Sequence, residues 1–161
     1  MKNLERFKIQ IKWALIFALM TLVWMWIEKL VGLHDKYISA HYIFTTFIII
    51  PSVVIYVLAL RDIRKNFYGG KMTYIQGFVS GLIISLIVTF LTPLTLVITT
   101  YVITPDYFSN IIDYTVESGE MTREEAAEYF NLHTYIMRGL VFAPLFGMSA
   151  SAVIAIFTQK K

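Results

Sequence analysis

The chain has 161 residues, of which 57% are hydrophobic and 16% charged, with four prolines, no cysteine and a formal net charge of +3; its mean hydropathy is +0.64. Soluble domains carry about 45–50% apolar and about 25% charged residues, so this composition excludes a soluble enzyme, a disordered tail and a secreted disulfide scaffold. The lack of cysteine also excludes thiol catalysis, iron–sulfur ligation and thiolate zinc sites.

A helix needs about 20 residues to cross a hydrocarbon core about 30 Å thick. Four stretches qualify, at residues 12–33, 38–60, 73–103 and 134–157. They predict an all-α integral membrane protein: one domain over 1–161, built as a four-helix transmembrane bundle. Lys2, Arg6 and Lys8 precede the first apolar core as in a secretory signal. A cleavage site after Ala40 would lie too far from that core, so the span is expected to remain.

Lys and Arg stay in the cytoplasm and so set the orientation. Lys2, Arg6, Lys8, Lys12, Arg61, Arg64, Lys65, Lys71, Lys160 and Lys161 fall on one side, against Lys29, Lys36, Arg123 and Arg138 on the other. Both termini are therefore expected in the cytoplasm. Trp24, Trp26, Tyr37, Tyr42, Tyr101, Tyr107 and Tyr135 fall near the outer boundary, where an interfacial belt belongs. The basic residues are divided between segments, which suits anionic lipid rather than nucleic acid.

In the third span Gly77, Gly81, Ser85 and Thr89 recur four apart, and in the fourth Ala143, Gly147, Ser151 and Ala155 do the same. Small residues let helix backbones approach closely. The two stripes could pack on one another, or one could drive self-association. Ser85, Thr89, Thr92 and Thr99 share roughly one face around Pro93 and could line an aqueous path. Pro51, Pro93 and Pro144 predict kinks in three of the four spans.

About thirty residues, 104–133, separate the last two spans. Thr104 and Pro105 read as an N-cap and first helical position, and Tyr107, Phe108, Ile111, Ile112 and Thr115 follow at helical spacing. Gly119 marks a stop. Thr122 and Glu125 form a capping box, and the helix it opens is expected to run straight into span four. The result is an amphipathic helical hairpin on the outer side, bearing Asp106, Asp113, Glu117, Glu120, Glu124, Glu125 and Glu128.

Ionisable groups in a span are costly and call for a role. Glu28, His41 and Arg138 lie near the outer ends of their spans, and none occupies a span centre. Glu28 and Arg138 could pair, tying span one to span four, or each could snorkel to the interface. Together with His34, Glu128 and His133 they make a candidate outer polar cluster. Imidazole and carboxylate can bind zinc, yet these spacings match no recognised ligand motif, so no metal or cofactor is expected.

Tyr74-Ile75-Gln76-Gly77-Phe78 with Gly81, the segment Thr104-Pro105-Asp106-Tyr107, and the acidic insert before a last span resemble one bacterial family. It is "domain of unknown function 4199", small four-span inner-membrane proteins of Bacteroidetes. The resemblance implies the four-span fold over essentially the whole chain and no catalytic residue.

No HExxH, GxSxG or phosphate-cradling glycine loop is present, so no enzyme is expected. The expected role is a non-enzymatic assembly or interaction module. It would act through Gly77, Gly81, Ser85, Gly147 and Ser151 and the outer insert, with membrane lipids and either a second copy or another membrane protein as partners. An oligomeric transporter or channel is the alternative, and a membrane-surface enzyme or metal-binding protein the third reading.

Overall fold

The four apolar stretches each form a helix long and apolar enough to cross a membrane. In the computed structural model, which describes residues 2–160, they cover Leu4–Leu30, Ile38–Asn66, Tyr74–Ile103 and Leu132–Thr158. Lys161, counted above toward orientation, lies outside the described residues. Within the protein only 11–22% of each most apolar window is buried, and Phe90, Phe146 and Phe157 stand fully out from the bundle. Such surfaces need an apolar medium, which makes the chain a multi-pass membrane protein.

Helix α1 (Lys2–Leu30) starts well before residue 12, and α3 (Ile49–Asn66) continues past residue 60. Hydropathy marks only the part of a helix that sits in hydrocarbon. Lys, Arg and Glu are good helix formers, so the charged ends prolong both helices. Between α1 and α3 lie α2 (Ile38–Phe44) and a single 3-10 turn at Thr45–Ile48, just ahead of Pro51. Helix α4 (Tyr74–Ile98) opens on a capping box, Thr73 with Gln76, and runs through Pro93. It ends in a π-helical turn, Thr99–Ile103, closed by Thr104 N donating to Thr99 O at 2.8 Å.

The insert departs from expectation at both ends. Helix α5 (Tyr107–Glu117) begins after Asp106, because Thr104 closes the π-helix and Pro105 and Asp106 form a turn in which Tyr107 N donates to Thr104 O at 3.3 Å. Gly119 (φ +73°) stops it, with Gly119 N bonded to Val116 O and Glu120 N to Thr115 O, a Schellman motif. Helix α6 (Arg123–Tyr129) carries the Thr122–Glu125 capping box but does not continue into α7 (Leu132–Thr158). Phe130 leaves the helical region, and Asn131 caps a new helix by accepting from Thr134 N at 2.9 Å. Asn is among the strongest N-caps, and that preference outweighs the lack of a glycine or proline.

Helices α4 and α7 share the most extensive interface in the bundle. The two stripes face each other along it. A Cβ built on Gly77 would stand 3.3 Å from Ala155 Cβ, one on Gly81 2.8 Å from Ser151 Cβ, and one on Gly147 would meet the Ser85 side chain. Ser85 Oγ crosses the seam to Ala143 O at 3.4 Å. The stripes thus occupy each other within one chain. Thr89, Thr92 and Thr95 donate to Ser85 O, Val88 O and Thr92 O, so these hydroxyls satisfy their own helix.

The apolar core lies toward the end that holds the termini, around Ala14, Tyr56, Leu60, Ile63, Ile84 and Ile154. There Met72 and Lys160 exchange two backbone hydrogen bonds of 2.8 Å, and Arg64 Nη1 donates to Thr158 O at 2.8 Å. Asp62 accepts from Trp13 Nε1 at 2.6 Å and pairs with Lys12. The opposite end, beneath the insert, holds most of the buried ionisable groups.

Candidate functional site

The first turn of the site is built by backbone geometry. Helix α1 ends with Leu33 N bonded to Glu28 O and Gly32 N to Lys29 O, both at 2.9 Å, and with Gly32 at φ +82°. This is a second Schellman motif. A side chain at that φ is disfavoured, and a Cβ on Gly32 would also press on Asp35 Oδ1 and Tyr37 Cδ2 at 3.2 Å. The turn sends the chain back over the end of α1, Leu33 is buried, and His34 is set against Glu28 one helical turn below. Helix α2 then brings His41 to the same carboxylate. Lys29 donates to Ile103 O, covering a carbonyl at the end of α4 that its own helix leaves open.

Glu28 and His34 are each only 2% exposed, and the His41 side chain 14%. Glu28 Oε2 lies 3.2 Å from His34 Nε2 and 3.3 Å from His41 Nε2. Trp24 Nε1 donates to the other oxygen, Oε1, at 2.5 Å. Tyr107 Oη is 3.5 Å from both His41 Nδ1 and Tyr135 Oη. The rings of His34, His41 and Tyr107 pack with centroids 5.1–5.2 Å apart. Burial pushes the Tyr107 phenol above its ordinary pKa, with Tyr135 and Glu28 adding to the shift, so it stays protonated. Asn110 Nδ2 holds the loop by donating to His34 O at 2.9 Å.

Of the six residues expected to cluster, Glu28, His34 and His41 meet. Of the two readings of Glu28 and Arg138, pairing or snorkelling, the pair does not form. Glu28 is taken up by groups within fourteen positions of it, while Arg138 lies over the Tyr129 ring, 3.7 Å from its centroid. Arg138 makes no ion pair among the described residues. Glu128 and His133 are exposed and stand apart from the buried group. Sequence reasoning missed Trp24 and Tyr107 as its partners, and Gly32 as the residue that makes the return possible.

Beside this group a cleft of about 710 Å³ opens between α2, the π-helical turn, the insert and α7. Tyr107, Tyr114, Tyr129 and Tyr135 line it together with His41 and Thr99, and Arg138 and Glu120 supply charge of each sign. The buried face of α5, Tyr107, Ile111 and Thr115, is turned to it. Glu28 also borders a second, apolar cavity of about 490 Å³ with Trp24, Leu33 and Phe44.

A family model described as Protein of unknown function (DUF4199) matches residues 12–160. The chain belongs to that family. The match runs from the middle of α1 through all four spans and the insert, so the DUF4199 region contains the buried Glu28 group, the cleft and the α4–α7 seam together. Searches of curated proteins and of solved structures found no match to this DUF4199 chain.

Proposed function

We propose that this DUF4199 protein is a non-enzymatic membrane interaction module whose recognition element is the cleft beneath the insert, and that it takes a small amphiphile with its anionic group on Arg138. The observation that carries the reading is the cleft. Its volume of about 710 Å³ suits a small-molecule site, which is typically about 300–1,000 Å³, walled by apolar and aromatic groups with few polar ones converging. A cation at the end of a span, with no acid partner among the described residues, favours an anion in its place. The Lys and Arg distribution supports an orientation with the cleft on the outer side and both termini in the cytoplasm.

Because the small-residue stripes occupy one another, self-association would have to use a different face, and recognition falls to the insert end. A channel or transporter draws less support, since Thr89, Thr92 and Thr95 turn their hydroxyls back onto their own helix and Ser85 turns its hydroxyl to α7.

Native mass spectrometry of the full-length protein released from nanodiscs tests the reading. Wild type is expected to retain an adduct of discrete mass after bulk lipid is stripped, and Arg138→Ala to lose it with helix content unchanged. A bare wild-type protein, or equal retention by the variant, would refute it.

A further inference from the structure

We propose that Glu28, His34 and His41 form a binding site for a divalent transition-metal ion, with zinc the best match to the donors. Two imidazoles and one carboxylate are a set that zinc and its neighbours favour, whereas calcium and magnesium demand oxygen alone. This goes beyond the cleft reading and does not depend on Arg138.

The distances carry the inference. Zinc binds nitrogen and carboxylate oxygen at about 2.0–2.2 Å in tetrahedral geometry, which puts neighbouring donors roughly 3.3–3.5 Å apart. Glu28 Oε2 stands 3.2 Å from His34 Nε2 and 3.3 Å from His41 Nε2, so two edges of such a tetrahedron are already formed. One donor atom from each of the three residues lies within 4.8 Å of the others.

Hydrogen bonding explains the same arrangement less well. Both histidines converge on a single carboxylate oxygen. His34 Nε2 is aligned to bond it, but His41 Nε2, though close, is not, and that buried nitrogen finds no hydrogen-bond partner among the described residues. Buried polar atoms are rarely left so, because the desolvation is not repaid. An ion at the centre takes up His41 Nε2. His34 Nδ1 is also buried without a partner; it lies on the other side of its ring and the ion does not account for it.

The surroundings fix the donors as a metal site requires. Trp24 Nε1 holds Glu28 Oε1, which leaves Oε2 to face the histidines. Tyr107 Oη sits at His41 Nδ1, which leaves Nε2 for coordination. Glu28 and His41 stand on helices and His34 in the turn anchored by Gly32 and Asn110. Three protein donors leave a fourth position open, and because His41 also lines the cleft, a donor from there can reach it.

The test uses full-length protein in nanodiscs, stripped with chelator and then titrated with Zn²⁺, and in parallel with Co²⁺ read by its visible absorption. Wild type is expected to bind one equivalent of Zn²⁺ and to give the intense Co²⁺ bands of four-coordinate geometry. His41→Ala and Glu28→Gln should each lose at least tenfold in affinity. Trp24→Phe keeps all three donors and should weaken binding by about 10–100-fold through lost orientation, which covers the case in which a donor variant does not fold. His133→Ala and Arg138→Ala should bind as wild type, so failure of the cleft reading leaves this proposal standing. Zn²⁺ binding that needs millimolar ion, that survives His41→Ala in folded protein, or that is lost with His133→Ala would overturn it.

Discussion

Replacing Gly147 by alanine tests whether the α4–α7 seam is set by backbone approach. The added Cβ would overlap the Ser85 side chain across the seam and stand 2.9 Å from Tyr56 Oη. Ser85 and Tyr56 are both buried, and Ser85 Oγ is held toward Ala143 O, so neither can swing into open space. Overpacking of this kind costs about 1–3 kcal/mol, while exchanging glycine for alanine inside a helix returns about 1 kcal/mol. A net loss of about 0–2 kcal/mol follows from those two magnitudes, and the overlap of the added Cβ with Ser85 Oγ puts this site at the upper end. Ser85→Gly removes the obstructing atoms, so the double variant should recover, with a coupling of about 0.5–3 kcal/mol expected of residues in contact. Reversible unfolding in mixed micelles, followed by circular dichroism, measures all four proteins. A single variant as stable as wild type, or a double variant with no recovery, would refute the close-approach reasoning.

Gly32→Ala forces a Cβ into a left-handed turn (φ +82°) and should cost about 1–2 kcal/mol; limited proteolysis between α1 and α2 should quicken, and unchanged cleavage and stability would count against the turn's role. Asp62→Ala removes the acceptor of Trp13 Nε1 and the partner of Lys12. A hydrogen bond to a charged group is worth about 1.5–3 kcal/mol, so unfolding should come earlier and Trp13 emission should shift; an unmoved spectrum would contradict the contact. The Thr122 cap bonds hold the Glu125 carboxyl below its ordinary pKa. A depressed folded pKa means the cap's contribution is full above the ordinary carboxylate value and fades as pH falls through the folded one. Protection factors of the α6 amides (exchange relative to the intrinsic rate at each pH) should therefore fall on acidification in wild type and not in Glu125→Gln, and identical pH profiles would overturn the assignment.

What the sequence discloses, and what it hides, divides along physical lines. Span number follows from hydropathy, and the Gly119 stop and the Thr122–Glu125 box follow from local chemistry that needs no tertiary context. The spacing of Gly77, Gly81, Gly147 and Ser151 announces close packing but not with what; only the fold shows the stripes meeting each other. Glu28 and Arg138 lie at similar depth by counting, which suggested a pair, but depth says nothing about azimuth around the bundle. Depth groups Glu28, His34 and His41, but their convergence on one carboxylate oxygen was hidden for a different reason. Positions 28, 34 and 41 match neither a helical nor a strand repeat, and they converge only because Gly32 reverses the chain. A glycine just past an apolar helix, followed by Leu33, was the available signal.

Site-specific photocrosslinking in membranes addresses the insert-end cleft most directly. A photoreactive phenylalanine analogue at Tyr114, on the cleft wall, is compared with the same group at Phe90, which is 83% exposed on the bundle surface. A discrete adduct at Tyr114 that disappears with Arg138→Ala, against only heterogeneous lipid adducts at Phe90, is the expected result. The same adducts at both positions, or none at Tyr114, would contradict a recognition site beneath the insert.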